Sequence, residues 1–487
     1  MNNPCSPLLA GVLELFELFF SEQLLKQFFQ EEASPKAAPP LPAQPRSKAQ
    51  RKKNPTRFYE RIFSLRVTLW YLVFQRVNTD RTLEAVVRDA RRGGADGLVK
   101  ARGKKPSKRI RSRQSTSFND ARQRLPERLV RRAFEHGRQV LMRLAGLDPQ
   151  AEQPPPPEQR SLQALDGSTL GMRSNEAKAK EYPPASNQHG KSYWLLMRIV
   201  CGFCTRTGAV LNVVQGALTR SEQQLAWALM GCASAFTVWI GDRNFGVFSV
   251  VERARHFRQD VLVRLMERRV DKSLRKGSWT SGQEQQICWK PSRKDQLADG
   301  ADPTGVEGRL IYILLEQPGF RTEKLWLFTT LLDAQLYPVQ LLLKWYGLRW
   351  QAELNFRYLK TQLNMHTLEV ATPEMARKEF YAGLLAYNLI RAVMYAAGER
   401  LGQGPGRLSF SQARRALFCS WLSLQSHRQQ LHWVEALVEE VGGGLLPKRK
   451  KKRESEPRKK RHRYSAFPQL IGTRAEARAK LRNECKS

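Results

Sequence analysis

Hydrophobic positions change their spacing along the chain, and the change separates helical from strand-forming regions. Residues 57–90 repeat apolar side chains at helical intervals, and so does LPERLVRRAFEHGRQVLMRLAG at 125–146. The run EQPPPP at 152–157 is compatible with neither a helix interior nor a central strand. The pattern therefore predicts an all-α region that ends near residue 150.

Short apolar runs replace the helical repeats after residue 160. SLQALDGSTLGM, YWLLMRIVCGF, AVLNVVQGAL and FTVWIGDRNF are rich in β-branched and aromatic residues and are bounded by Gly, Asn or polar turns. SEQQLAWALMGCA, between the last two runs, has the periodicity of a helix. Several strands, a helix and a further strand predict an α/β domain with a mixed sheet, and strand-like runs return at 278–332.

One polar stripe stands out in the segment WYGLRWQAELNFRYLK, residues 345–360. The segment is predicted to be one continuous helix, in which successive residues lie about 100° apart. Tyr346, Arg349, Glu353 and Lys360 then share a stripe about 60° wide. An ordinary amphipathic helix with an Arg349–Glu353 ion pair would account for part of this pattern. It would not account for Tyr346 and Lys360 on the same face.

Charge is the outlying property of the composition. The 487 residues include 82 Lys and Arg against 45 Asp and Glu, which gives a formal net charge of +37. A field of this size attracts polyanions, of which nucleic acid is the commonest. A ribosome-associated protein or a membrane-surface binder is the alternative. We expect no membrane span and no signal peptide, because the apolar start LLAGVLELFELFF carries two glutamates and lacks a basic leader.

The cysteines do not indicate a disulfide framework. Seven in a chain of this length point to a reducing cytosol. Cys201 and Cys204 form a lone CxxC within an apolar run, and no second pair follows at zinc spacing. We interpret them as buried thiols.

Two carboxylates occur where predicted strands end. Asp166 closes SLQALDG and Asp242 closes FTVWIGD, so both are expected in the crevice where α/β sheets bind ligands. Either aspartate could instead start or cap a turn. With Glu353, the two could gather around hard divalent cations, which support in-line phosphoryl transfer when two ions lie about 4 Å apart.

The basic and aromatic side chains of the stripe complement such a site. Arg349 could grip a phosphate through two parallel hydrogen bonds, and Lys360 could supply a point charge. Tyr346 could bond a phosphate oxygen or stack on a base.

These residues together resemble a known family. Tyr346-x2-Arg349-x3-Glu353-x6-Lys360 resembles the YREK signature of DDE transposases of the insertion-sequence-four family. ALDGST around Asp166 and TVWIGDRNFG around Asp242 are similar to the family's two aspartate motifs, and the likeness covers roughly residues 58–400. Asn244 stands where Gly is commoner in the family.

The resemblance implies an α/β catalytic core of ribonuclease-H-like type, with a mixed five-stranded sheet and flanking helices. About 110 residues separate Asp242 from Glu353, too many for a simple connection, and in the family such a gap holds a mainly β insertion domain. Trp279 and Trp289 are candidates there for stacking on an unpaired base, but core packing is the role we expect of either, since tryptophans are usually largely buried. The implied domains are an N-terminal helix and basic Pro-rich linker (1–56), a helical DNA-binding domain (57–150), the first part of the core (160–250), the insertion (251–335), the second part of the core with the YREK helix (336–400) and a helical C-terminal region with a basic tail (401–487).

The resemblance also implies an activity. It indicates an insertion-sequence transposase that binds terminal inverted repeats and catalyses metal-dependent strand cleavage and transfer, through a hairpin intermediate. Asp166, Asp242 and Glu353 would be the catalytic and metal-binding residues, with two Mg²⁺ ions and Mn²⁺ as an alternative. Tyr346, Arg349, Lys360 and, with a weaker case, Arg243 would hold DNA.

The implied partners are double-stranded transposon-end and target DNA, with a homodimer in the synaptic complex and no membrane. The implied location is the bacterial cytoplasm, on the nucleoid. We expect KRKKKRESEPRKKRHR at 448–463 to contact DNA non-specifically, with a nuclear localisation signal as the alternative. Two functional alternatives stay open: an inactive or regulatory DNA-binding descendant, and a metal-dependent nuclease of the same fold.

Overall fold

The computed structural model describes residues 7–30, 62–99, 104–187, 190–192, 194–273, 278–293, 295–296, 302–315, 323–421 and 431–447, with a few single positions after 472. The predicted linker at 33–56 and the basic block at 448–463 lie outside these ranges. The chain divides into two compact units, one made of Met1–Leu144 and Thr372–Leu445, the other of Ala145–Ala371 and Leu446–Ser487.

The described helices and strands alternate in the order that the hydrophobic pattern suggests. The helices are α1 (Pro7–Glu17), α2 (Glu22–Gln30), α3 (Leu65–Val77), α4 (Leu83–Arg91), α5 (Pro106–Arg109), α6 (Thr116–Arg124), α7 (Glu127–Leu144), α8 (Glu176–Glu181), α9 (Glu222–Met230), α10 (Phe248–His256), α11 (Glu267–Ser273), α12 (Val339–Gly347), α13 (Trp350–Arg357), α14 (Pro373–Arg400), α15 (Phe410–Trp421) and α16 (Leu431–Gly442). The strands are β1 (Leu162–Arg173), β2 (Ser186–Asn187), β3 (Gly190–Lys191), β4 (Trp194–Cys204), β5 (Val210–Ala217), β6 (Val238–Gly241), β7 (Asp260–Arg264), β8 (Glu284–Trp289), β9 (Val306–Leu315), β10 (Glu323–Thr329) and β11 (Thr367–Leu368).

The first unit is helical in its described part, and α14 packs against α3, α7 and α16. A buried ionic group ties these helices together. Glu379 on α14 accepts hydrogen bonds from Arg76 at 2.5 Å and from Arg122 at 2.6 Å. The two guanidinium groups share one buried carboxylate, so the charge of Glu379 is paired on both oxygens and the group keeps one net positive charge. This grouping differs from the predicted domain 336–400, because α14 joins the N-terminal helices instead of the sheet.

The second unit is built on a mixed sheet. Nine strands among the described residues form it, in the order β5-β4-β1-β6-β7-β10-β9-β8, with β11 pairing beside β1. Strands β1, β4 and β5 form an antiparallel meander, whereas β6 and β7 run parallel to β1. The five strands β5, β4, β1, β6 and β7, with α9 and α10 as connections, agree with the expected mixed five-stranded sheet and flanking helices. Their order and directions fit the ribonuclease-H-like fold.

Both faces of the sheet centre are covered by apolar packing. On β6, Trp239 belongs to the cluster that contains α9 and α10, whereas Val238 and Ile240 belong to the cluster that contains α12. Side chains alternate along a strand, so an uninterrupted apolar run such as VWI is the pattern of a strand buried on both sides. The central strands are therefore held rigidly between two helical layers.

The predicted insertion boundary at 251 needs correction. The stretch Asp260–Arg264 pairs in parallel with Val238–Gly241, so β7 belongs to the five-stranded part of the sheet. Strands β8, β9 and β10 then extend the same sheet through antiparallel pairs instead of forming a separate one. The sequence did not distinguish these cases, because β7 and the later strands are all short apolar runs.

The described helices include none that combines the length and apolar character needed to cross a bilayer.

Candidate active site

Asp166 lies within β1, beside the point where β6 ends. The last paired residues of the two parallel strands are Leu165 and Gly241, so Asp166 and Asp242 follow at the same level. Gly167 donates its backbone N–H to Asp166 Oδ1 at 2.8 Å. The pKa of the Asp166 carboxyl is raised to about 7, chiefly by burial and also by the charges of Asp242 and Glu222, whereas the Gly167 bond and Arg349 lower it. Asp166 is thus a partly buried carboxyl beside like charges.

Asp242 begins the turn after β6. Its Oδ1 accepts the backbone N–H of Asn244 at 2.8 Å, and its carbonyl accepts those of Phe245 at 3.1 Å and Gly246 at 3.2 Å. This is the local bonding by which Asp stabilises a turn after a strand. Asp242 therefore caps its turn and also lies beside Asp166. Its position is compatible both with a structural role in the turn and with a role in the site.

Glu222 is a third carboxylate at this place, and the sequence reasoning missed it. It is the first residue of α9, whose N-terminus is fixed by a capping box between Ser221 and Gln224. A Cβ placed on Gly167 would lie 2.6 Å from Glu222 Cδ, so Glu222 lies directly over the glycine that follows Asp166. Burial raises the pKa of Glu222, and the Asp242 charge adds to that shift. The available sequence signal was only a helix-initial glutamate, which is common.

The predicted continuous helix at 345–360 is interrupted twice, which corrects that prediction. Leu348 and Arg349 keep helical backbone angles but close 3₁₀-type bonds, from Leu348 N to Trp345 O and from Arg349 N to Tyr346 O. Residues 358–362 then widen into a π-helical turn. Since 3₁₀ and π turns advance by more and by less than about 100° per residue, the stripe cannot be regular.

Tyr346 and Arg349 still face the aspartates. Both are 9% exposed. Burial raises the pKa of the Tyr346 phenol. Arg349 lowers this pKa through its charge and a hydrogen bond to the phenol, whereas the charge of Asp242 raises it. The Arg349 guanidinium also lies 4.6 Å from the ring centroid of Trp350. Tyr346, Arg349, Asp166 and Asp242 therefore form one electrostatically connected group.

Lys360 approaches the same group from the π-helical turn. Burial lowers the pKa of its ammonium group, and the Asp166 charge counteracts that effect. Arg243, by contrast, is exposed on the turn that follows Asp242. The structure thus brings Lys360 to Asp166 and leaves Arg243 at the surface beside the site.

Glu353 is placed differently from the two aspartates. Its side chain is 54% exposed, with Oε1 at 3.7 Å from Arg349 Nη1. It is not among the charges that shift Asp166. Within the described ranges, no group of three or more His, Cys, Asp and Glu side chains is arranged to hold a metal ion. The structure therefore joins Glu353 to the site through Arg349.

The donor set of the site nevertheless fits a hard cation. Asp166 and Asp242 offer carboxylate oxygens, the ligands that Mg²⁺ prefers, and Glu222 adds negative charge beside them while its Oε2 accepts from Asn244. Because like charges and burial together disfavour ionised Asp166, a divalent cation would stabilise its charged form.

The two tryptophans considered for base stacking lie against the extended sheet. Trp289 is 3% exposed and its ring centroid is 5.9 Å from that of Phe248 and 5.0 Å from that of Phe328. Trp279 is half-buried against Trp326, at 5.3 Å. Core packing, the role expected from the sequence, therefore describes Trp289.

Comparisons with known proteins match the central part of the chain. Residues 157–389 match the family described as a transposase DDE domain. A stretch of 102 residues is 35% identical to the transposase InsG for insertion sequence element IS4 of Escherichia coli strain K12 and spans 20% of this chain and 23% of that relative. A piggyBac transposase, solved as a synaptic complex with hairpin DNA, is similar over 90% of this chain and 85% of its own, at 11% identity and a TM-score of 0.41. The resemblance found in the sequence is therefore confirmed over this central part, where residues 157–389 are similar to the DDE domain of transposases and a shorter stretch is similar to an insertion-sequence transposase.

Proposed function

We propose that this protein is an active insertion-sequence transposase, which cleaves DNA at the ends of its element and transfers the strands to target DNA. The observation that supports this most is the pair Asp166 and Asp242, side by side on parallel strands, with Arg349 and Lys360 within electrostatic reach of Asp166. A site built from two carboxylates and two cations can hold both a divalent cation and a phosphate. Neither a DNA-binding descendant nor a structural protein requires this costly cluster.

Asp166, Asp242 and Glu353 would hold Mg²⁺, with Mn²⁺ as an alternative. Bound divalent ions would supply activation of the attacking oxygen and charge stabilisation at the leaving oxygen. The share of Glu353 in this role rests on the family resemblance and on its link to Arg349.

The basic and aromatic side chains would position the strand to be cut. Arg349 is held by Tyr346 and by the Trp350 ring, so its guanidinium is preorganised for a phosphate. Lys360 would contribute a point charge, and exposed Arg243 would contact the backbone outside the pair of aspartates. We also propose a hairpin intermediate, as the family resemblance implies.

The helical region 57–150 would bind the terminal inverted repeats. In its described part, Arg88, Arg91, Arg92 and Arg113 line a cavity of about 550 Å³ together with Glu84 and Val87. Of the four arginines, Arg88 is paired with Asp80 at 2.6 Å. Such a groove suits contacts to backbone phosphates, which position a protein on DNA. The DNA complex would contain two copies of the chain, one for each end.

The proposal is tested with linear DNA that carries the ends of the element. The protein is incubated with this DNA and Mg²⁺, and the products are separated on denaturing gels. We expect nicks at the ends, hairpins and joined products. Binding without any cleavage would contradict the proposal and favour the regulatory descendant, whereas cleavage without joining would favour the nuclease.

A further inference from the structure

One side chain bridges two carboxylates of the site. Asn244 donates its backbone N–H to Asp242 Oδ1 at 2.8 Å, and its side-chain Nδ2 donates to Glu222 Oε2 at 2.6 Å. The second bond is short, as expected for an amide that donates to a carboxylate. Asn244 therefore connects the turn of Asp242 to the first residue of α9.

A neighbouring side chain fixes the orientation of that amide. Gln223 Nε2 donates both to Asn244 Oδ1 at 2.9 Å and to the Asn244 carbonyl at 3.0 Å. With Oδ1 occupied as an acceptor, Nδ2 is the atom that faces Glu222. Both polar atoms of the Asn244 side chain, Oδ1 and Nδ2, thus bond to the first two residues of α9.

Glu222 also lies against the strand that carries Asp166. Its carboxyl lies over Gly167, where any Cβ would approach within 2.6 Å of Cδ. The absence of a side chain at 167 lets Glu222 reach both the strand and the turn. Glu222 and Asn244 consequently connect the two strands from which Asp166 and Asp242 project.

We propose that Glu222 is a positioning residue, which fixes Asp242 relative to Asp166 through its hydrogen bond with Asn244. This inference rests on the proposed function, since it concerns the same pair of aspartates. The role depends on the residue at position 244, because only a side chain with a donor can bridge to Glu222. Partners that orient metal-binding carboxylates are typically worth 10- to 100-fold in metal affinity or activity.

A simpler role for Glu222 is to stabilise the N-terminus of α9 through the helix dipole. Glu176 provides the matched comparison, since it is also the first residue of a helix, but its side chain is 86% exposed and pairs with Lys180. If only the dipole mattered, the two glutamates would respond alike to substitution.

The test compares Glu222→Ala, Glu222→Gln, Asn244→Ala and the double variant Glu222→Ala/Asn244→Ala in the full chain, with Glu176→Ala as the control. Three quantities are measured: kcat and KM for end cleavage, Mn²⁺ affinity by electron paramagnetic resonance, and hydrogen exchange of the peptide that covers 242–246 in the metal-free protein. Thermal unfolding checks that each variant is folded.

We expect Glu222→Ala and Asn244→Ala each to lower kcat and Mn²⁺ affinity by about 10- to 100-fold with KM for DNA unchanged. Both should speed exchange at 242–246, and the double variant should be no worse than either single one. Glu222→Gln should retain most of the activity, because its amide oxygen still accepts from Asn244. Glu176→Ala should match the wild type in all three measurements.

Equal losses in Glu222→Gln and Glu222→Ala would overturn the inference, because the charge and not the hydrogen bond would then matter. Additive losses in the double variant would overturn it as well. If the wild type fails to cleave DNA, the proposed function fails by itself, and the exchange and Mn²⁺ measurements still decide whether Glu222 positions Asp242.

Discussion

Asp166 is the carboxyl of the site whose charged form its surroundings disfavour. Its carboxyl is partly buried on a central strand, with Asp242 and Glu222 as like charges and Arg349 as a partly compensating cation. A group in this position prefers its proton unless a cation replaces it. The same features that would recruit a divalent ion therefore destabilise the ion-free protein.

This cost should be visible in the pH dependence of stability. Because burial raises the pKa of Asp166 from 3.8 to about 7, the folded protein retains a proton that the unfolded chain releases. Stability is then lost as pH rises between those two values, by at most about 4 kcal/mol. Asp166→Asn removes this term, so its stability relative to the wild type should increase from pH 4 to pH 8.

The measurement is denaturant unfolding of both proteins at the two pH values without divalent ions. Asp148→Asn, at an exposed turn, serves as the control and should show no such pH-dependent difference. An equal difference between Asp166→Asn and the wild type at both pH values would contradict the assignment of Asp166 as the strained carboxyl.

The sequence was sufficient to single out the aspartates but not their neighbour Glu222. Asp242 follows β6 as expected, whereas Asp166 lies within β1 instead of at its end; pairing of the two strands brings both to the same level. The bond between Glu222 and Asn244 joins residues 22 positions apart and depends on how α9 packs on the sheet. No local pattern encodes that contact.

At the scale of elements, two short turns position the site. The turn after β6 holds Asp242, and the irregular connection between α12 and α13 presents Arg349. Periodicity of about 100° per residue correctly grouped Tyr346 and Arg349, since few residues separate them. The same periodicity did not predict the position of Lys360, because residues 358–362 form a π-helical turn. Such a turn follows from tertiary packing and not from local propensity.

Two glycine substitutions test these turns. A Cβ on Gly246 would lie 2.1 Å from the carbonyl oxygen of Arg264, whereas a Cβ on Gly347 would meet nothing within 4 Å. Gly246→Ala should therefore displace the Asp242 turn from β7 and destabilise the protein by about 1–3 kcal/mol. Gly347→Ala, at the end of α12, should be neutral or stabilise by up to about 1 kcal/mol.

Thermal and denaturant unfolding of both variants provide the comparison. If Gly246→Ala were as stable as Gly347→Ala, the close packing of the Asp242 turn against β7 would be refuted.

At the scale of the whole molecule, charge and segment order dominate. The net charge of +37 predicts binding to a polyanion, and the match of residues 157–389 to a transposase domain is consistent with DNA as that partner. The grouping of α14 with the N-terminal helices was not predictable, because the apolar pattern of a long helix does not indicate which part of the chain it packs against. The contacts of Glu379 with Arg76 and Arg122 span more than 250 residues.

Salt dependence tests the DNA-binding role of the helical unit. With six to ten phosphate contacts, end affinity should fall about 10³- to 10⁵-fold between about 50 and 200 mM salt. Arg91→Gln and Arg92→Gln should each weaken binding to all sequences similarly and reduce the slope of log affinity against log salt by about 0.9. Arg143→Gln, whose partner is Glu14, should leave the slope unchanged. Unaltered slopes in the first two variants would exclude the cavity lined by Arg88, Arg91, Arg92 and Arg113 as a DNA contact.

The central claim is that Asp166, Asp242 and Glu353 act together in cutting the DNA. The most direct test is end cleavage and end binding by Asp166→Asn, Asp242→Asn and Glu353→Ala, each compared with Asp148→Asn. We predict that all three site variants lose cleavage while binding ends nearly as the wild type does, and that Asp148→Asn keeps both activities. Normal cutting by Glu353→Ala would contradict its place in the acidic site, and normal cutting by either aspartate variant would contradict the account as a whole.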